Sequence, residues 1–361
     1  MASAKGQVLV GMSGGVDSAV AAALLQAQGW DVTGAFVCLG RAAEADVGSS
    51  GCCSPQDAAD ARRVAGLLGV DLFVLDAGRD FERVIDAFAA EYAAGRTPNP
   101  CIGCNRDIKF GRLLRRARDL GFDAVATGHY ARVVQHRGAP ALARARAAGK
   151  DQSYVLFELP RQALGRLVLP LGEVESKAEV RATARRLGLP VHDKPDSQEI
   201  CFVPDGDHAA VLAARAPAAL TPGPILDETG REVGRHRGYG RYTVGQRRGL
   251  GVAAPGRRYV TAVDAASATV TIGSRQATRA GGLVAARASW QVDLAGEARV
   301  AVQIRSGHRG AAARLRGGGG ERFEVEFDAP VEAVAPGQAA VVYDGDVLLG
   351  GGWIERALPA R

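Results

Sequence analysis

Several things are scarce or missing in this sequence, and each closes off a class of function. No apolar run approaches the ~18 residues that a bilayer-crossing helix needs, so no membrane partner is expected. The first residues lack the apolar core of a secretory leader, which makes the cytoplasm the expected location. Lysine is rare, with five residues against forty arginines. The net charge is nevertheless +6, so guanidinium groups carry the basic balance. Six cysteines in 361 residues, with no leader, argue against a disulfide scaffold and leave buried thiols, metal or catalysis. Cys101-Ile-Gly-Cys104 has no second pair at zinc-site spacing. No internal repeat is present.

What is present begins at Gly11-Met12-Ser13-Gly14-Gly15-Val16-Asp17-Ser18. An apolar run (Val8, Leu9, Val10) precedes it and an Ala/Leu-rich stretch follows, so it reads as a turn from a buried strand into a helix. Glycines there let backbone approach a ligand, and free amides at a helix start point at negative charge. Two serine hydroxyls add donors, and Asp17 is placed to hold a metal ion beside a polyphosphate. No Gly-Lys-Ser/Thr follows, so this is not a Walker loop. The dinucleotide pattern Gly-x-Gly-x-x-Gly does not fit either.

The first 130 or so residues alternate strand and helix. Val8–Gly11, Val32–Cys38, Leu72–Leu75 and Ala124–Thr127 read as strands. Ser18–Gln28, Pro55–Leu68, Phe81–Tyr92 and Asp107–Leu120 read as helices, and Glu173–Leu187 as a further charged one. That alternation predicts a doubly wound parallel sheet, with ligands beyond the carboxyl ends of its strands. Two long loops are expected, Gly40–Pro55 with Cys52 and Cys53, and Gly95–Asn105. Past about residue 205 short alternating runs take over, among them a hairpin over 259–272, and predict a small antiparallel barrel. The expected domains are 1–205, 206–273 and 274–361. Eight arginines and one acid fall between Arg231 and Arg258, interleaved with Tyr239, Tyr242 and Tyr259. Arginine forks grip phosphates and aromatic rings stack on bases, so this stretch is a candidate nucleic-acid surface.

Cys104 is expected just ahead of the helix beginning near Asp107, where the helix dipole would favour a thiolate. A structural zinc half-site, a redox pair, or sulfur chemistry shared with Cys201 all fit Cys101 and Cys104 at this point.

Ser-Gly-Gly-x-Asp-Ser resembles the pyrophosphate loop of the ATP pyrophosphatases. Further motifs extend the likeness over nearly the whole chain. They are Gly95-Arg-Thr-Pro-Asn-Pro-Cys-Ile-Gly-Cys-Asn105, Ala126-Thr-Gly-His-Tyr130, Lys150-Asp-Gln-Ser-Tyr154, Asp196-Ser-Gln-Glu-Ile-Cys-Phe202, Thr243-Val-Gly-Gln-Arg-Arg-Gly-Leu-Gly251 and Ala335-Pro-Gly-Gln-Ala339. Together they resemble the tRNA-specific 2-thiouridylase family, which thiolates the wobble uridine. The resemblance implies ATP with Mg2+ held by Gly11–Ser18, Val37 and Gly128. It implies Cys201 as persulfide carrier and Cys104 as the nucleophile that releases the sulfur and leaves a Cys104–Cys201 disulfide. It places Asn99, Pro100 and Cys101 at the target base, and His129, Lys150, Asp151, Gln152, Arg305, Ser306 and Gln338 on the anticodon arm of tRNA. A persulfide donor protein is the implied partner.

Two positions depart from the family pattern. Ser306 stands where the family has an aromatic residue. Cys101 stands where better-known members have Asp, and it completes a set of three with Cys104 and Cys201. Three thiolates are candidate ligands for an iron–sulfur cluster, so a cluster-dependent thiolation is one alternative and another adenylating ligase with the same loop is a second.

Overall fold

The computed structural model describes residues 5–40, 54–196, 200–203, 206–254 and 256–360. Cys52, Cys53 and the centre of the 196–202 motif lie outside these residues. The chain divides into two compact units. The first comprises Met1–Val84, Cys101–Gly206 and Asp346–Leu348, and the second Ile85–Pro100, Asp207–Gly345 and Leu349–Arg361.

The first unit is built on strands β1 (Gln7–Gly11), β2 (Asp31–Cys38), β3 (Leu72–Asp76) and β4 (Ala124–Thr127). A hairpin, β5 (Ala131–His136) with β6 (Ala139–Arg144), and the short β7 (Leu167–Val168) follow. The sheet runs β3-β2-β1-β4-β7, all parallel. Val8, Leu9 and Val10 of β1 are fully buried, which is why this strand reads as an unbroken apolar run rather than an alternation. The chain leaves β1 toward one edge of the sheet and returns to its other side as β4. The loops after β1 and β4 therefore border the switch point, where a doubly wound sheet opens a crevice.

Helix α1 (Val16–Ala27) is alanine-rich and buries Val16, Ala19, Val20 and Leu25 against β1 and β4. Helix α2 (Pro55–Leu68) has Pro55 in its first turn and a reciprocal capping box between Ser54 and Asp57, and ends on left-handed Gly69. Helix α3 is Gly78–Ala93. The helix expected from Asp107 starts earlier. The chain is helical from Pro100, through α4 (Pro100–Gly103), seven π-helical residues Cys104–Phe110, and α5 (Gly111–Leu120). The dipeptide Asn99-Pro100 is a helix-start signal that accounts for this. Cys104 consequently sits inside a helical run rather than ahead of one. Helix α6 (Lys177–Arg186) is capped by Ser176, whose hydroxyl accepts from the Glu179 amide.

In the second unit, β8 (Gly223–Leu226), β9 (Glu232–His236), β10 (Tyr259–Asp264) and β11 (Thr269–Gly273) form a sheet ordered β10-β11-β8-β9. The expected hairpin is β10–β11 and belongs to this sheet. Six further strands make a closed antiparallel barrel: β12 (Arg279–Trp290), β13 (Gly296–Gln303), β14 (Ala311–Gly318), β15 (Arg322–Glu332), β16 (Ala339–Asp344) and β17 (Val347–Pro359). Strand β12 pairs with both β15 and β17, which closes the ring and leaves no open edge.

Tyr239 and Tyr242 are 4% and 9% exposed, and the Tyr239 hydroxyl donates to the Ala93 carbonyl at 2.8 Å. These rings are core residues of the second unit and not stacking platforms for bases. The arginines of this stretch are exposed, apart from half-buried Arg258. Arg231 pairs with Asp227, Arg235 with Glu232 and Arg241 with Asp207. Among the described residues, Arg237, Arg247, Arg248, Arg257 and Arg258 form no ion pair.

Candidate active site

The turn from β1 into α1 is closed by its own atoms. The Ser18 hydroxyl accepts from the Ser13 amide at 3.1 Å and donates to the Gly15 carbonyl at 3.0 Å. The Met12 amide donates to Ala35 at 2.8 Å, which ties the loop to β2. Gly15 caps α1 without a side chain, and the first intrahelical bond is Ala19 to Gly15. The amides of Val16, Asp17 and Ser18 thus have no helical acceptor and form a donor set for an anion.

Two glycines are required here by backbone contact. Gly14 has φ +75°, and a Cβ on it would lie 2.2 Å from the Asp57 carbonyl oxygen. A Cβ on Gly128, in the loop after β4, would lie 2.7 Å from the Ser18 nitrogen. The loop is therefore clasped between the first turn of α2 and the β4 loop.

A cavity of about 860 Å³ opens over this loop. Every residue of Gly11–Ser18 except Gly14 lines it, and Gly14 instead faces α2. Val37 and Gly128, which the resemblance had assigned to ATP, also line it. So do His129, Lys150 and Gln152, which the resemblance had assigned to tRNA, and Cys201 with Ile200.

Four of the five lysines in the chain line this one cavity: Lys109, Lys150, Lys177 and Lys194. Lys177 donates to both Asp17 oxygens, at 2.8 and 2.7 Å, and pairs with Asp196 at 2.9 Å. Asp196 also receives Lys150 at 2.8 Å and Arg181 at 3.1 Å. Burial opposes ionisation of Asp196, but the hydrogen bonds and charges of Lys150 and Lys177 outweigh it and bring its pKa down to about 2. Lys194 donates to Asp57 at 2.6 Å, Asp60 at 2.7 Å and the Gly14 carbonyl at 3.0 Å. The Tyr130 hydroxyl donates to Asp17 at 2.7 Å, and burial together with the Asp17 anion pushes the phenol well above its ordinary value. Burial and the Lys109 ammonium push the His129 pKa down to about 3, so this imidazole is neutral.

The remaining expected site residues differ in exposure and fall in both units. Cys104 is buried, Cys201 half-buried and Cys101 exposed. No group of three His, Cys, Asp or Glu side chains among the described residues is placed to hold a metal ion. Cys101, Cys104 and Cys201 are therefore not among any such group. Asp151 turns inward, accepting from Arg144 at 3.0 Å and from the Ala145 amide at 3.0 Å. Asn99 and Pro100 belong to the second unit. There the Gln338 amide donates to the Thr97 carbonyl at 2.9 Å, fixing the loop just before Asn99. Arg305 and Ser306 are exposed, and the Arg305 guanidinium reaches the Glu332 carbonyl at 3.3 Å.

Motif reading missed Lys177, Lys194, Asp57 and Tyr130 as parts of the site. The rarity of lysine was the available signal. In a chain that uses arginine almost everywhere, the few ammonium groups mark places that need a compact, three-donor cation.

An amide-lined loop at a parallel-sheet switch point, over a cavity walled by lysines and a cysteine, defines a nucleotide-using α/β enzyme. Family models agree on the architecture. The tRNA methyl transferase HUP domain matches residues 6–205, the tRNA methyl transferase PRC-barrel domain 210–274 and the aminomethyltransferase beta-barrel domain 280–354. Three curated relatives carry the name tRNA-specific 2-thiouridylase MnmA. The chain is 49% identical to that of Syntrophotalea carbinolica, covering 96% of this chain and 98% of that protein. It is 47% identical to that of Roseiflexus sp., with 97% and 99% covered. The protein of Chloroflexus aurantiacus is 49% identical, with 97% and 98% covered. The chain belongs to the tRNA-specific 2-thiouridylase family. The domain descriptions speak of methyl transfer and the relatives of thiolation.

Among the described residues, no helix is long and apolar enough to cross a membrane.

Proposed function

We propose that this chain is a tRNA-uridine 2-sulfurtransferase that uses ATP to replace the C2 oxygen of the wobble uridine by sulfur. One observation carries the reading: the anion-binding loop and Cys201 line the same cavity. In this reading the free amides at the start of α1 hold the ATP phosphates. Mg2+ would supply charge neutralisation on the departing pyrophosphate, and Asp17, which Lys177 and Tyr130 engage, is the carboxylate that would hold it. One carboxylate plus phosphate oxygens is an ordinary magnesium site.

The uracil C2 oxygen attacks the α-phosphorus, the bond to pyrophosphate breaks, and an O2-adenylylated base results. A carbonyl oxygen leaves poorly, whereas AMP leaves well. The terminal sulfur of a Cys201 persulfide adds to C2 and AMP departs. Cys104, as thiolate, attacks the Cys201 sulfur. The S–S bond to the base breaks, thiouridine is released, and a Cys104–Cys201 disulfide remains for an external thiol to reduce. Asn99, Pro100 and Cys101 face the target base, which must leave the anticodon stack to react. His129, Lys150, Gln152, Arg305, Ser306 and Gln338 contact the anticodon arm, and Asp151 acts by bracing the Lys150–Gln152 turn. The work is divided among a catalytic domain over 1–205, a tRNA-binding domain over 206–273 and a barrel over 274–361. The five arginines of the central segment that lack ion pairs among the described residues support that division, since they can meet phosphates. The persulfide comes from a donor protein in the cytoplasm.

The test is nucleoside mass spectrometry of tRNA incubated with the enzyme, Mg-ATP and a persulfide donor. 2-Thiouridine is expected, and its absence would overturn the reading. Cys201→Ser is expected to abolish thiolation while tRNA-dependent pyrophosphate release continues. Surviving thiolation would remove Cys201 from its role.

A further inference from the structure

Two carboxylates stand beside the phosphate-type loop, with Asp57 and Lys194 on the cavity wall and Asp60 next to them. Asp57 and Asp60 lie on the first turns of α2, with side chains only 15% and 12% exposed. The backbone of Asp57 is pressed against Gly14. Anions at this place oppose the binding of any polyphosphate in the cavity, and low exposure weakens solvent screening. The Lys194 ammonium touches both of them. Its third hydrogen bond goes to the Gly14 carbonyl, which turns that oxygen away from the cavity.

All three donors of Lys194 are thereby used on the protein. Burial opposes the charge of Lys194, yet its bonds to Asp57 and Asp60 raise its pKa, so the ammonium is stably charged. Asp60 responds in the opposite sense. Its burial is outweighed by Lys194 and Gln56, and its pKa falls. The group is a fixed triad of one cation and two anions. The cation contributes a carbonyl anchor that a carboxylate pair cannot supply.

We propose that Lys194 is a positioning residue that sets nucleotide affinity: from the cavity wall it cancels the Asp57 and Asp60 charges beside the loop and holds the Gly14 carbonyl back, with all three of its donors spent on protein acceptors. The inference rests on the reading of Gly11–Ser18 as an ATP site. The choice of lysine follows from geometry. Three acceptors converge on one nitrogen, which a tetrahedral ammonium can satisfy and a planar guanidinium cannot. This explains why lysine stands here in a chain with forty arginines.

The experiment is calorimetric titration of the full-length protein with Mg2+ and α,β-methylene-ATP, which cannot be cleaved at the reacting bond. Lys194→Met is expected to weaken binding about tenfold or more, as removal of one partner from a buried charge set does. Adding Asp60→Asn to that variant should recover most of the loss. Asp60→Asn alone should tighten binding by roughly two- to fivefold, because one repelling charge is removed at constant loop geometry. Lys194→Arg, which keeps the charge and loses the three-point fit, should fall between wild type and Lys194→Met. Failure of the wild type to bind would strike the ATP reading itself. Wild-type binding with an unaffected Lys194→Met protein would overturn the inference. So would a loss that Asp60→Asn does not rescue, which would mark a merely structural lysine. If Lys194→Met does not fold, the Asp60→Asn arm still decides, since unchanged or weaker binding there contradicts charge cancellation.

Discussion

The lysines around the cavity and the arginines of residues 231–258 carry the same charge but are held very differently. Lys177 and Lys194 each make three bonds to acids or backbone, and their side chains are 13% and 27% exposed. Arg237, Arg247, Arg248, Arg257 and Arg258 are without ion pairs among the described residues, and all but half-buried Arg258 are exposed. A cation locked by carboxylates cannot be lent to a ligand freely, but it fixes the groups around it to within a fraction of a bond length. A cation in solvent fixes nothing. It can meet a phosphate wherever one arrives, and releases counterions when it does. The chain separates geometry from attraction by residue type and by place.

The largest way to break this contrast is at Lys177. Lys177→Met leaves Asp17 with only the Tyr130 hydroxyl and strips Asp196 of one of three cations. Lys177 holds Asp17 at the start of α1, where the proposed reaction places the phosphates, so kcat/KM for tRNA thiolation should fall by roughly 10²-fold. A loss under threefold would show that Lys177 is a surface charge in effect.

A smaller effect sharpens the other side. Arg247→Ala with Arg248→Ala should weaken tRNA binding about tenfold. The slope of log K against log salt should become shallower by roughly 0.7 for each phosphate no longer neutralised. Arg316 is the matched control. It is already engaged with Glu297 at 3.2 Å and Glu326 at 3.1 Å, so Arg316→Ala should leave both affinity and slope unchanged. Equal losses from the two changes would erase the distinction between paired and unpaired arginines.

The smallest effect is a pH dependence at His129. Its folded pKa, about 3, lies below the unfolded value, so the unfolded chain binds the extra proton first. The stabilisation is complete above pH ~6.5 and is lost as pH falls from there toward the folded pKa. At pH 5 the wild type should have lost about 1–2 kcal/mol relative to pH 7 beyond the loss in His129→Gln, read from urea unfolding. Identical pH profiles would mean that His129 is solvated rather than held neutral beside Lys109.

Legibility in the sequence followed the physics of each element. Strand β1, the loop after it and α2 were readable because a buried apolar run, a glycine turn and a proline suited to a first helical turn are local signals. The parallel sheet followed from alternation. Strands β12 and β14 were not readable: Ala311–Gly318 is almost all Ala, Arg and Gly, with no β-branched residue, and is a strand only because its neighbours in the ring pair with it. Tyr239 and Tyr242 were misread because aromatic residues among arginines look the same whether their rings face a base or a core. The loop of the site was legible, but its lysine frame was not. Lys177 and Lys194 reach Asp17 and Gly14 across 160 and 180 residues, and no local pattern encodes such partners.

The π-helical stretch Cys104–Phe110 constrains how this segment can change over time. A π turn holds more residues than an α turn, and such a stretch is equivalent to one residue inserted into an ordinary helix. Deleting any one residue there would restore the regular hydrogen-bond ladder at little local cost. The flanking faces, Cys101 before it and Leu113 and Ala117 after it, would keep their register, because the wide turn absorbs the extra residue locally; only the placement of the residues within the turn would change.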